Sequence, residues 1–211
     1  MMPVKSDREY RDIDMRNMET RIAEDGQYIV EGYATTFGEP YLLFDDGEYR
    51  FYESFDAHAF DNTDLSDVIM QYDHAGHVYA RGSNGTLLVK PDNKGLFTRG
   101  YLGGTQIGKQ LYEEIHGGYT TRMSHGFRVK RQERRVVENQ EAHRYDVFRT
   151  ILEVQKEYDV SAVSLPANGM TEIHSARSYC EGVIAEVRGE IAAEKARARI
   201  KSQINIIAGG I

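Results

Sequence analysis

Three short segments carry the side chains of this sequence that could do acyl-transfer chemistry. They are Gln71-Tyr72-Asp73-His74, Arg122-Met123-Ser124-His125-Gly126-Phe127-Arg128-Val129 and Tyr158-Asp159-Val160-Ser161-Ala162-Val163. Each lies at the edge of an apolar, strand-like run. A serine hydroxyl becomes a nucleophile only beside a base, and the base works best when an acid holds its far ring nitrogen.

Strand alternation sorts these residues. Met123, His125, Phe127 and Val129 share one face, while Ser124, Gly126 and Arg128 share the other. His125 therefore points away from Ser124, and the base must come from elsewhere. His74, at the end of an apolar strand and the start of the loop Ala75-Gly76, is the best candidate, because an imidazole titrates near neutral pH. The plainer alternative is a surface histidine. Asp159, in an otherwise apolar strand, needs a partner if buried. It is either the acid that orients the base or one half of an ion pair with an arginine. Glu153 and Glu157 are weaker substitutes. Gly126 allows close backbone approach to the site.

Other chemistries find less support. His74 and His77 could face one metal ion on a helix, but Gly76 and the preceding strand argue against a helix. No cysteine cluster or second histidine pair completes a shell. Asn84-Gly85 and Gly103-Gly104 read as turns rather than phosphate cradles. Arg81 either stabilises negative charge at the site or pairs with an acid, and the second reading is favoured. No cofactor is expected.

The elements that must position these residues are mostly short strands. Glu19–Ile22 and Tyr28–Ala34 flank Glu24-Asp25-Gly26 as a hairpin. Gly38–Gly47 reads as a loop and Tyr49–Glu53 as a strand. Val68–Tyr72 and Thr86–Val89 follow, then Leu96–Leu102 after the turn Asp92–Gly95. Ile107, Leu111 and Ile115 recur at helical spacing over Gln106–His116, with Gly117-Gly118 as the stop. Met123–Lys130 alternates again. Gln132–Ala142 reads as a charged hairpin tip, and Tyr145–Val154 and Val160–Leu165 as two further strands ended by Pro166. From Cys180 to about Ile207, Ala, Glu, Lys and Arg dominate, and Val183, Val187 and Ile191 form a narrow helical stripe. That stripe fits a helix packed on the core or on a second copy of itself, or a detachable, partner-binding tail. The class is α+β, built around a small barrel or sandwich. The expected division is an extended lead-in over 1–17, one main domain over 18–178, and a helical tail over 179–211.

Composition bounds the rest. The chain has 211 residues, a formal net charge of −7 and one cysteine, Cys180. The acidic balance argues against a general nucleic-acid binder, and one cysteine precludes an internal disulfide. No apolar run reaches membrane-spanning length, and the charged first 21 residues do not read as a secretory signal. The expectation is a soluble intracellular protein.

Several motifs, in order, resemble the prohead (procapsid maturation) proteases of the HK97 type of tailed bacteriophage. Ile29-Val30-Glu31-Gly32-Tyr33-Ala34-Thr35-Thr36-Phe37-Gly38 is similar to that family's opening motif. Ala59-Phe60, the strand into His74, Arg81, Gly85-Thr86-Leu87 and Asp92–Leu96 follow the family's sequence of motifs. Met123-Ser124-His125-Gly126-Phe127 and Asp159-Val160-Ser161-Ala162-Val163-Ser164-Leu165-Pro166-Ala167 complete it. The resemblance departs from the family in having His125 where Phe is usual and Asp159 where Glu is usual. The segment Glu39–Tyr52 also reads as longer than usual.

The resemblance implies a serine endopeptidase with a compact β-barrel surrounded by helices, similar to herpesvirus assembly proteases. It implies Ser124 as nucleophile, His74 as general base and Asp159 as third member, with backbone N–H groups holding the oxyanion. It also implies action on the scaffolding segment of the major capsid protein precursor, and on the protease itself, inside the immature procapsid in the bacterial host cytoplasm. Self-association is compatible with it, and nucleic acid and membrane are not expected partners. The competing reading is a catalytically inactive assembly module of the same fold that binds capsid or scaffold.

Overall fold

Apolar alternation along the chain builds two sheets in the computed structural model, which describes residues 8–14, 18–163 and 172–208. The elements run β1 (Glu9–Asp14), β2 (Glu19–Ile22), β3 (Tyr28–Thr36), β4 (Tyr41–Asp45), β5 (Tyr49–Phe55), β6 (Ile69–Tyr72) and β7 (Ala75–Arg81). Then come β8 (Leu87–Pro91), β9 (Gly95–Tyr101), α1 (Gln106–His116), β10 (Arg122–Asn139), β11 (Arg144–Val163) and α2 (Glu172–Ala208).

The larger sheet has seven strands in the order β1-β10-β11-β5-β4, with β6 also pairing β11, and β7 pairing β6. The smaller sheet has the order β2-β3-β9-β8. The protein is thus α+β, mostly sheet, with a C-terminal helix. Among the described residues the hydrogen-bonded order closes neither sheet into a barrel.

The main core lies where the sheets and α1 meet. Val30 of β3, Leu96 of β9, Met70 of β6, Phe127 of β10, Val160 of β11 and Leu111 of α1 belong to one buried cluster. Helix α1 starts as its sequence suggests: the Thr105 hydroxyl accepts from the Gly108 N–H at 3.0 Å, an N-cap. A second cluster gathers Tyr49 and Phe51 of β5, Val147 of β11 and Cys180, Val183, Ile184 and Val187 of α2. The helical stripe therefore packs on this chain's own sheet. Burial pushes the Cys180 thiol up to about 12, where it is unreactive.

Four local readings change. Residues 41–45 of the supposed loop form β4, because Tyr41–Phe44 can lie along the edge of β5. The charged stretch after Gln132 is not a tip but the outer half of β10, paired with β11 as far as Asn139↔Arg144. One face meets solvent, and the other meets α2 through Gln132, Arg134 and Val136, which are mostly polar, so no apolar alternation marks it. The two strands expected over 145–165 are one continuous strand, β11, with irregular register midway. Residues 9–14, within the expected lead-in, form an edge strand of the large sheet. The motif residues 164–167 lie outside the described residues.

Candidate active site

The site is built on one face of the large sheet, where β1, β10, β11 and β6 lie side by side. Across it, Asp12, Ser124, Ser161 and Gln71 occupy one row, and Tyr10, Gly126, Asp159 and Ile69 the next. Directly opposed residues on neighbouring strands share a face. Ser124, Gly126, Asp159, Ser161 and Tyr10 therefore stand on the same side.

His74 comes to this face from a turn rather than from a loop. Tyr72 pairs with Ala75, leaving Asp73 and His74 as the two-residue connection between β6 and β7. Both have positive φ, 49° and 55°, as a type I′ hairpin turn requires. The turn folds the imidazole back over the sheet. Its Nδ1 is hydrogen-bonded to Asp159 Oδ2. The same carboxylate oxygen accepts from the Ser161 hydroxyl at 2.6 Å. An imidazole whose Nδ1–H donates to a carboxylate presents Nε2 as its basic nitrogen. Ser124 lies opposite Ser161, the residue whose hydroxyl holds Asp159, and is fully buried.

Gly126 has a steric reason to be glycine. A Cβ there would lie 2.5 Å from Asp159 Oδ1 and 2.7 Å from the Tyr10 ring. The space above its backbone is filled by the acid and by that tyrosine. The Tyr10 ring meets the His74 ring edge-on, with centroids 4.4 Å apart. Arg8 sits 3.7 Å from Asp159 Oδ1 and stacks over Tyr158 at 3.8 Å.

His125 lies on the opposite face, as alternation predicts. It is fully buried against Phe55 and Phe127, and its Nδ1 is 3.1 Å from Glu157 Oε1. Burial pushes the Glu157 carboxyl above its ordinary value, with His125 opposing that rise. Glu153 is tied to Lys130 at 2.7 Å, so neither glutamate approaches His74. Arg81 is paired with Asp67, the plainer of its two readings. His77 lies in β7, an exposed strand, and among the described residues no group of three or more His, Cys, Asp or Glu is placed to hold a metal ion.

Sequence reasoning missed Arg8 and Tyr10. The available signal was the alternation Glu9-Tyr10-Arg11-Asp12-Ile13, in which charge hides a strand. Arg11 is buried because Glu53, 42 residues away, receives it at 2.5 and 2.8 Å. Arg149 joins the same cluster, reaching Glu53 at 2.6 Å and Glu9 at 2.6 and 2.8 Å. This four-membered network fastens β1 to β5 and β11.

A serine, and a histidine held by an aspartate, on one face of a sheet are the groups that serine hydrolases use for acyl transfer. The profile described as caudovirus prohead serine protease matches residues 12–183, and the chain belongs to that family. At the level of the family it is a serine protease of phage capsid maturation. Among solved structures, the capsid assembly protease of bacteriophage T4 is similar over 76% of this chain and 100% of its own, with 10% identity and a TM-score of 0.37. No curated protein matches. No helix among the described residues is long and apolar enough to cross a membrane.

Proposed function

We propose that this chain is a prohead maturation serine endopeptidase with Ser124 as nucleophile, His74 as general base and Asp159 as the acid that orients it. The observation that carries the reading is the His74–Asp159 hydrogen bond, on the sheet face that also bears Ser124. In the reaction, His74 Nε2 takes the Ser124 proton as Oγ bonds to the peptide carbonyl carbon. The proton then passes to the leaving amine as the C–N bond breaks. Water, deprotonated by the same nitrogen, releases the acyl group and restores the hydroxyl. Asp159 holds the tautomer and steadies the imidazolium without taking the proton.

The substrates are the scaffolding segment of the major capsid protein precursor and the protease itself, inside the procapsid. The protease unit is the expected 18–178 domain completed by β1 from the lead-in, and α2, which begins at Glu172, carries the chain from that unit into the helical tail. Because Ser124 is fully buried, a peptide reaches it only after groups over β10 shift. The test is co-expression with the capsid precursor from the same phage. Precursor cleavage by the wild type and not by Ser124→Ala supports the reading. Particles that contain wild-type protein and uncleaved precursor would favour the inactive assembly module.

A further inference from the structure

We infer that the N-terminal strand β1 is part of the catalytic apparatus, with Tyr10 as the positioning residue that fixes the plane of the His74 ring. The inference rests on the triad proposed above.

His74 needs such a device. It sits at the tip of a two-residue turn with positive φ, a conformation that costs a non-glycine residue about 1 kcal/mol or more. The hydrogen bond to Asp159 fixes the position of Nδ1, and pivoting of the ring about that bond is opposed by what packs against the ring. The edge-on Tyr10 ring, 4.4 Å away, blocks the pivot. The groups placed around the pair are Asp159 and Ser161 from β11, Tyr10 and Arg8 from the β1 segment, and Asp73 beside His74 in the turn.

Tyr10, half-buried, is itself held in place. It lies opposite Gly126, whose missing side chain leaves room for the ring. Its hydroxyl accepts from Arg8 at 3.2 Å. Its strand is fastened by the adjacent Arg11 and Glu9 to Glu53 and Arg149. Arg8 and Tyr10 precede residue 12, where the family match begins. Any processing event that removed β1 would therefore switch the enzyme off, although Ser124, His74 and Asp159 would all remain.

The test uses full-length protein in four forms: wild type, Tyr10→Ala, Tyr10→Leu and Tyr10→Phe, with Ser124→Ala as control. Two quantities are read. One is the rate of Ser124 labelling by a fluorophosphonate. The other is the far-downfield imidazole N–H proton resonance of His74, which reports its bond to Asp159 whether or not Ser124 reacts. Tyr10→Ala should slow labelling roughly 10- to 100-fold, as expected for a misplaced base, and broaden or erase the resonance. Tyr10→Leu, which keeps apolar bulk but no flat ring, should show a smaller loss in the same direction. Tyr10→Phe keeps the ring and should stay within about 3-fold of wild type. Wild-type labelling and an unchanged resonance in folded Tyr10→Ala or Tyr10→Leu would overturn the inference. If Ser124→Ala labels as wild type does, the triad reading fails, and the resonance alone then decides the role of Tyr10.

Discussion

Asp159 and Glu157 stand two residues apart on β11, yet their side chains lie on opposite faces of the sheet. Regular alternation would place both on one face. The register against β10 shifts between Gly126, which faces Asp159, and Phe127, which faces Glu157. The extra residue of this bulge, Tyr158, sends one acid to His74 and the other to His125. Bulges re-aim side chains next to reactive sites, and here one bulge separates two His–acid pairs that would otherwise share a face.

The first prediction concerns the acid. Asp159→Asn should lower kcat by roughly 10²- to 10⁴-fold with little change in KM, because the amide favours the wrong histidine tautomer. Ser161→Ala removes the 2.6 Å donor to the same carboxylate and should cost far less, about 10-fold, the worth of one hydrogen bond to a charged group. Peptide kinetics on the cleaved capsid sequence separate the two. Equal losses in both variants would contradict the assigned roles.

Gly126→Ala should also damage the site, by less than loss of the acid. Its Cβ would press on both Asp159 Oδ1 and the Tyr10 ring, the two groups in contact with the His74 ring. The expected result is a folded protein, destabilised by about 1–3 kcal/mol, with kcat reduced at least tenfold. Unaltered kcat would show that the contact around Gly126 is loose.

Reading the site from the sequence worked where one strand's alternation was enough. It placed Ser124 and Gly126 together and turned His125 away. It fell short where the cause is distant. Buried Arg11 is explained only by Glu53 and β5, so β1, Tyr10 and Arg8 could not be recognised locally. The sequence places His74 at the end of a strand, before a loop at Ala75-Gly76. The Asp73-His74 pair tolerates positive φ, so these two residues alone make the turn and β7 starts at once. β4 and the outer half of β10 owe their structure to the neighbouring strands rather than to their own pattern.

The network that holds β1 predicts acid sensitivity. Burial alone would raise the Glu53 carboxyl, but Arg11 and Arg149 outweigh it and hold it at about 2, against an ordinary 4.5. Glu9 is lowered as well. A depressed carboxyl stabilises the fold above its unfolded value, and that stability is lost as pH falls through the folded value. For Glu53 the loss is roughly 3 kcal/mol between about pH 4.5 and 2. Near-UV circular dichroism of the tyrosines, the chain having no tryptophan, should show β1 and the core loosening in that window. Glu53→Gln should be less stable at pH 7 by about 3–5 kcal/mol, because it strands buried guanidinium charge, and its stability should vary less below pH 4.5. An equally steep acid profile in the variant would place the sensitivity elsewhere.

His125→Phe, which restores the residue usual in the resembled family, should not stabilise this protein. The ring fits beside Phe55 and Phe127, but Glu157 would lose its partner while fully buried. The expected cost is about 1–3 kcal/mol in urea unfolding. His125→Phe combined with Glu157→Leu should recover most of it. Catalysis by the folded single variant should stay within a few-fold of wild type, since His125 faces away from Ser124. A large fall in kcat would mean that the two faces are coupled.

The most direct test of the central claim is intact-mass analysis of the major capsid precursor from the same phage, co-expressed with wild-type protein or with Ser124→Ala. The account predicts loss of a capsid fragment with the wild type alone, at a defined peptide bond. Cleavage at the same bond with Ser124→Ala would contradict it, because the nucleophile would then lie elsewhere.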